Sequence, residues 1–236
     1  MKKIEILKSI LVVILILFLI FIFVMGIIGI KRLIVFNKIY SGTDKNITFD
    51  NYTMKIDITM NGSEFASLES FYRMGKGKQI TSNGIYTWTN GEKAYMVDVE
   101  SKEVRIMDMS QGNEELTSVI TQTSYTAYIP GYNQSLFGKF KLVLIAEIED
   151  EVLDEEDCYK ISYTDKEGAT RTYWISKNDM KIKKCEFKVG SDTILYNFDL
   201  KFFTAKITDV ELGNIAEYKI VDGKTGNTVV ESFSTK

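Results

Sequence analysis

The chain has 236 residues, of which 29 are Lys or Arg, 32 are Asp or Glu and none is His. The absence of His excludes Ser-His-Asp and Cys-His catalysis and most catalytic zinc sites. Residues 1–38 carry a net charge of +5 and the remainder −8. An acidic domain argues against nucleic acid as a partner and against flat docking on an anionic membrane.

Ile10–Ile30 is an uncharged stretch of 21 residues, almost all Leu, Ile, Val or Phe. As a helix it measures about 31 Å, against about 30 Å for the hydrocarbon core of a bilayer. The run is longer than that of a cleaved signal peptide, and no Ala-x-Ala site follows it. The sequence therefore predicts a transmembrane helix at 10–30 behind a short tail at 1–9. Basic residues flank both ends, so the charges leave its orientation open.

The residues after the predicted span change in character. We expect 31–44 to form a juxtamembrane helix and linker, with Ser41–Asp44 as the linker, and 45–236 to form the following domain. Apolar residues alternate along Tyr52–Met60, which is typical of a half-buried strand. Asn61-Gly62 then predicts a hairpin turn.

The middle of the chain interrupts a series of short strands. Ile85–Thr89, Lys93–Val99 and Glu103–Met109 are predicted strands of an antiparallel meander, because turn signals separate them at short intervals. A helical insertion follows, with Leu116, Val119 and Ile120 at helical spacing and a second short helix expected at Asn133–Gly138.

Period-two alternation then returns. It predicts strands through Leu142–Ile148, 159–163, 171–176, 181–189 and 196–202, and a final hairpin from 218–221 and 228–233. The domain is thus expected to be mainly β, of α+β class, with a helical insertion.

Two hairpin motifs resemble those of the LolA/LolB-like superfamily of periplasmic lipoprotein carriers. The first is Thr89–Asp98 (TNGEKAYMVD); the second is Cys158–Ile161 (CYKI) with Tyr173–Asn178 (YWISKN). The resemblance covers about 45–205. It implies a curved, half-open antiparallel sheet with helices over its concave face and an apolar cavity for acyl chains. It also implies a binding fold on the extracytoplasmic side of the membrane, with the N-terminal tail inside. The family's arginine segment is not recognisable around Arg73, so lipoprotein shuttling is not carried over.

Catalytic and metal-binding motifs give no site. Gly75-Lys76-Gly77 and Gly223-Lys224-Thr225 lack the remaining glycines of phosphate-binding loops and are interpreted as turns. Eight carboxylates between Glu147 and Asp157 fit either a calcium site or a solvated hairpin, and the absence of an Asp-x-Asp-x-Asp-Gly loop favours the hairpin. We expect no catalytic residue, no metal and no cofactor, and hence no enzyme.

The candidate ligand site is a cavity between the sheet and the helical insertion. Its helical side is predicted to be Leu116, Val119 and Ile120. Its sheet side is the set of apolar residues expected to share one face: Met54, Ile56, Ile58, Leu68, Tyr72, Trp88, Tyr95, Leu144, Ile161, Tyr173 and Phe198. Any single aromatic in this set is also compatible with an ordinary β-core.

Two functions follow from these expectations. The leading one is a membrane-anchored, extracytoplasmic binding domain whose partner is a membrane lipid or the acyl chain of a lipoprotein. The alternative is a sensor or regulatory module that binds an envelope protein and fills the cavity with its own side chains.

The two cysteines are predicted to be free thiols. A strand at 170–176 should separate the strands that carry Cys158 and Cys185, which places them about 9–10 Å apart. A disulfide needs Cα atoms within about 7 Å.

Overall fold

The computed structural model describes residues 16, 26–46, 51–82, 84–90, 92–108 and 125–222. Most of the predicted span at 10–30 and the whole predicted stripe of Leu116, Val119 and Ile120 lie outside these residues. Among the residues described, no helix is both long enough and apolar enough to cross a membrane.

Twelve strands form one curved, open sheet, which confirms the mainly β fold. Its spatial order is β12-β6-β5-β4-β3-β2-β1-β11-β10-β9-β8-β7. The strands are β1 (Asn51–Met60), β2 (Ser63–Arg73), β3 (Lys76–Thr81), β4 (Ile85–Thr89), β5 (Lys93–Asp98), β6 (Glu103–Asp108), β7 (Glu147–Leu153), β8 (Glu156–Thr164), β9 (Thr170–Ser176), β10 (Ile182–Val189), β11 (Asp192–Phe202) and β12 (Lys219–Asp222).

Two meanders meet at the centre of the sheet. β1 pairs antiparallel with β2 on one side and with β11 on the other, so that Ile56 lies opposite both Leu68 and Phe198. The β1–β2 turn uses Asn61 and Gly62, both with positive φ, as the sequence predicted. β12 differs from the other strands because it pairs parallel with its neighbour, β6. Residues 228–233, the expected second strand of the C-terminal hairpin, lie outside the described part.

The sheet has two covered faces, which we call inner and outer. The inner face carries Met54 and Ile56, which are fully buried, whereas Lys55 and Asp57 on the outer face of the same strand are exposed. Two helices and a 3-10 turn belong to the inner-face core: α1 (26–46), α2 (Leu136–Ile145) and the turn Tyr125–Tyr128.

Helix α1 is part of the core of the β domain. Val35, Phe36, Ile39 and Thr43 follow helical spacing and are buried, and the three apolar ones belong to the inner-face core. The expected linker Ser41–Asp44 is therefore wrong, because these residues are the last turns of a packed helix. The sequence signal was ambiguous there, since Ser, Gly, Thr and Asp are usual loop residues.

Helix α2 replaces a predicted strand. Ser135 caps it by accepting a hydrogen bond from the Gly138 N–H at 3.3 Å. The alternation of Leu142, Leu144 and Ala146 suggested a strand, but Leu142 and Leu144 are helical and β7 begins only at Glu147. Leu142 and Val143, which are adjacent in the chain, are both buried.

The outer face of β4–β6 is covered by the segment 203–218, which includes a 3-10 turn at Thr208–Val210. Trp88 Nε1 donates to the Val210 carbonyl at 2.8 Å, and the Tyr86 hydroxyl donates to the Leu212 carbonyl at 2.7 Å. Trp88 packs edge-on against Tyr95 at 5.2 Å between ring centroids. These rings form a second core with Val97, Val104 and Ile215.

The acidic run forms the β7–β8 hairpin. Asp154 and Glu155 make its turn, both with positive φ. Three of its carboxylates pair with lysines of neighbouring strands, at 2.7–2.8 Å: Asp150 with Lys177, Glu151 with Lys160, and Glu156 with Lys183. Within the described ranges no group of His, Cys, Asp and Glu is placed to hold a metal ion.

Phe36→Ala is expected to lower the free energy of unfolding by about 3–5 kcal/mol, because the ring is buried in the inner-face core. Leu33→Ala is the matched control, since Leu33 lies on the exposed side of the same helix and should change stability by less than about 0.5 kcal/mol. Urea unfolding of the full-length chain in micelles measures both. Equal effects would contradict the packing of α1 on the sheet.

Both cysteines are free, as predicted, with β9 between their strands, and both are buried. Burial raises the pKa of the Cys185 thiol well above its usual value, and it also raises that of Cys158. Because the thiolate is the reactive form, we expect neither thiol to react with a thiol reagent in the folded chain at mildly alkaline pH. Both should react after unfolding without reductant. Rapid labelling of the folded protein would refute this burial.

Candidate functional site

Most of the predicted cavity residues of the sheet do come together. Met54, Ile56, Ile58, Ile161 and Tyr173 belong to one buried cluster. Leu68 and Tyr72 pack against it half-buried, and Phe198 lies within it. The registers explain this grouping, because Ile161 lies opposite Tyr173 and both share the face of Met54.

This cluster is packed by the chain itself. Phe36 and Ile39 of α1 lie in it together with Tyr125, Ile129 and Leu142. The Tyr125 N–H donates to the Tyr52 hydroxyl at 3.3 Å, which ties the 3-10 turn to β1. Met54 and Ile56 are therefore core residues in the present arrangement, and ligand contact by them stays a prediction.

Aromatic contacts line the same inner face. The ring pairs are Tyr52 with Tyr72 at 5.3 Å, Tyr128 with Phe198 at 5.0 Å, Tyr163 with Tyr173 at 5.9 Å and Phe187 with Tyr196 at 5.3 Å. Burial raises the pKa of the Tyr173 hydroxyl far above its usual value, so this hydroxyl stays neutral. These rings therefore contribute apolar packing to the inner face.

Three predicted site residues lie elsewhere. Trp88 and Tyr95 face the outer side. Tyr72 of the inner face lies opposite Gly77, and Gly77 lies opposite Thr89, so Thr89 is on the inner face and the adjacent Trp88 is not. Leu144 is exposed on α2, where its carbonyl accepts a hydrogen bond from Arg32 Nη1 at 2.7 Å. The expectation that these three share the face of Met54 is wrong. Leu116, Val119 and Ile120 fall outside the described residues.

A groove of about 470 Å³ lies between α1 and the β7–β9 end of the sheet. One wall is the side of α1 that carries Ile27, Ile30, Ile34 and Val35, and the other includes Tyr159 of β8. The charged lining residues are Lys31, Lys38, Asp150 and Lys177. Sequence reasoning missed this site because 27–30 was assigned to the membrane. The sequence signal that indicates this wall is the helical spacing of the apolar residues at 27, 30 and 34.

The rim of this groove is cationic. Lys177 Nζ lies 2.8 Å from Asp150 Oδ1 and 5.2 Å from the centroid of the Tyr159 ring. The hydrogen bond from Lys177 lowers the pKa of Asp150, and the nearby positive charge of Lys31 lowers it further. The same hydrogen bond raises the pKa of Lys177. The lining thus holds three ammonium groups and one carboxylate, which suits an anionic group beside an apolar wall.

A second groove of about 430 Å³ lies on β4–β6 at the opposite end of the sheet. Its lining is Ile85, Met96, Asp98, Ser101, Glu103 and Arg105. Glu103 and Arg105 pair with each other at 3.1 Å. This groove combines two carboxylates with one guanidinium and has less apolar lining than the first, so it is the weaker candidate for a lipid.

No family model and no curated protein matches the chain. Among solved structures, a conserved protein of Thermus thermophilus is similar at 9% identity and a TM-score of 0.48, over 77% of this chain and 97% of its own. The lipoprotein LppX of Mycobacterium tuberculosis is similar at 12% identity and a TM-score of 0.44, over 74% of this chain and 99% of its own.

A LolA superfamily protein of Nitrosomonas europaea is similar at 10% identity and a TM-score of 0.33, over 74% of this chain and 96% of its own. At such low identities these similarities concern the arrangement of the strands, and the ligand of this chain has to be inferred from its own residues. The similar structures include proteins of the LolA superfamily, the group that the two hairpin motifs resemble.

Proposed function

We propose that the chain is a membrane-anchored, extracytoplasmic domain that binds a lipid or a lipidated group in the groove between α1 and β7–β9. The observation that carries this proposal is the groove itself, in which an apolar wall of α1 adjoins a cationic rim. The apolar run at 10–30 leads directly into that wall, which supports anchoring beside the site.

The two parts of the groove fit the two parts of a lipid. Ile30, Ile34 and Val35 offer an apolar surface, along which each buried CH₂ of an acyl chain contributes about 0.8 kcal/mol. Lys31 and Lys38 lie on the same helix and offer charge to a carboxylate or phosphate head group. The groove volume lies within the range of about 300–1,000 Å³ that is usual for small-molecule sites.

The position of the groove also favours a lipid as its ligand. Its wall begins at Ile27, inside the predicted span, and ends near Lys38. A lipid of the same bilayer then reaches the groove without crossing water. Anchoring at 10–30 and an extracytoplasmic domain belong to this proposal.

A regulatory module that binds an envelope protein is the second candidate. The observation in its favour is the inner-face core, where α1 and the 3-10 turn occupy the space expected for a ligand. A domain whose inner face is permanently filled needs no lipid ligand, and its surface then serves a protein partner.

Native mass spectrometry of the full-length chain, freed from lipid in detergent and then given a saturated fatty acid, tests the first candidate. We expect a one-to-one adduct, and Ile34→Glu should weaken it about tenfold or more, because it puts a carboxylate into the apolar wall. Ile207→Glu is the matched control, since Ile207 is 60% exposed against 51% for Ile34 and lies on the segment that covers the outer face.

The outcomes separate the two candidates. Equal weakening by both substitutions would mean that the fatty acid adheres without using the groove. No adduct with folded wild-type protein would remove the lipid proposal and leave the regulatory module as the better explanation.

A further inference from the structure

Helix α2 exposes an apolar side that no other segment covers in the described part of the chain. Leu136, Phe137, Phe140 and Leu144 are 86%, 78%, 56% and 54% exposed. Their spacing of one, three and four residues places them on one side of the helix. Leu142 and Val143 lie on the opposite side, buried in the inner-face core. Two exposed Phe and two exposed Leu on a helix of ten residues indicate that this side contacts an apolar partner.

Contacts with α1 fix the position of α2 relative to the predicted span. The Arg32 guanidinium donates to the carbonyl of Leu144 at 2.7 Å, and Lys139 Nζ lies 4.8 Å from the centroid of the Tyr40 ring. The two helices therefore run antiparallel. The C-terminal end of α2 is level with Arg32, just beyond the apolar run that ends at Ile30.

The exposed side of α1 changes from apolar to polar near the same level. Ile30, Leu33 and Ile34 are exposed apolar residues, whereas Asn37 and Lys38 are the exposed residues of the next turn. Of the apolar three, Leu33 lies next to the side of α1 that contacts α2, whereas Ile30 and Ile34 line the groove.

The charges of this surface are basic, although the domain as a whole is acidic. α2 contains Lys139 and Lys141 and no carboxylate, and α1 contributes Arg32 at the C-terminal end of α2, whereas Lys31 and Lys38 line the groove. Basic residues beside an exposed apolar stripe are typical of helices that lie in the interface of an anionic bilayer. A second copy of the chain fits less well, because a symmetric contact would oppose like charges.

We propose that the exposed side of α2, together with the neighbouring Leu33 of α1, docks on the outer surface of the anionic bilayer that holds the anchor. This rests on the anchoring part of the proposed function and not on ligand binding in the groove. Leu144 lies nearest the acyl chains, and Leu136 and Phe137 lie in the head-group layer.

Docking sets the tilt of the anchor. From Leu144 to Leu136 the helix α2 extends about 12 Å, whereas the head-group layer is about 5–7 Å thick on each side. The N-terminal end of α2 therefore reaches this layer only if α1 leans strongly toward α2. The lean has to lie in the upper part of the range of about 0–40° that membrane helices show.

The depth of a label on α2 tests the proposal. Phe137→Cys and, as control, Ile207→Cys are labelled with a polarity-sensitive fluorophore in the full-length chain, because the natural Cys158 and Cys185 are buried. The protein is placed in nanodiscs of phosphatidylcholine and phosphatidylglycerol. We expect the label at 137 to emit at shorter wavelength and to lose fluorescence when the lipids carry brominated chains. The label at 207 should respond only to iodide in solution.

Adding Lys141→Glu to the Phe137→Cys chain should shift the emission of the label back toward that in water, and so should nanodiscs without phosphatidylglycerol. Iodide quenching at 137 without quenching by brominated lipid would overturn the proposal. Protection from both quenchers would also overturn it, in favour of a protein contact. Retained docking in a chain that binds no fatty acid would remove the groove proposal alone.

Discussion

The structure depends on the packing of helix α1 against the inner face of the sheet. The apolar side of this helix, with Phe36 and Ile39 fully buried, closes a face that the strands leave apolar. The contact is tight at Gly42, where a Cβ would lie 2.5 Å from the Cβ and Cγ of Met180. The carbonyl of Met180 also accepts a hydrogen bond from Tyr125 at 3.1 Å. One helix therefore completes the core, forms a wall of the groove and begins within the apolar stretch at 10–30.

The sequence predicted the sheet well because its strands are half-buried and alternate. β1, β4 and β5 were found within one residue of their ends, and the two free thiols followed from strand order alone. Errors arose where periodicity does not distinguish the alternatives. Leu142 and Leu144 fit both a strand and a helix, and Trp88 was assigned to a face without knowledge of the register set by the Met74-Gly75 turn.

The candidate site was less predictable, because it depends on tertiary contacts. Met54 and Ile56 were placed on the correct face, yet nothing in their spacing says whether that face is filled by the chain or open to a ligand. The groove beside α1 joins residues near position 30 with residues near 150 and 177. Such a combination follows from strand order and helix docking together, and no local motif encodes it.

The pairing of β1 with β11 has a consequence for biogenesis. Tyr52 lies opposite Phe202, so the centre of the sheet joins segments made at the beginning and near the end of synthesis. The apolar side of α1 emerges first and has no sheet partner until β8–β11 have been made. Because such long-range contacts form slowly, nascent α1 is exposed to chaperones, proteases and the translocation machinery for most of its synthesis. Ribosome stalling before residue 202 should therefore leave a chain that proteases digest readily.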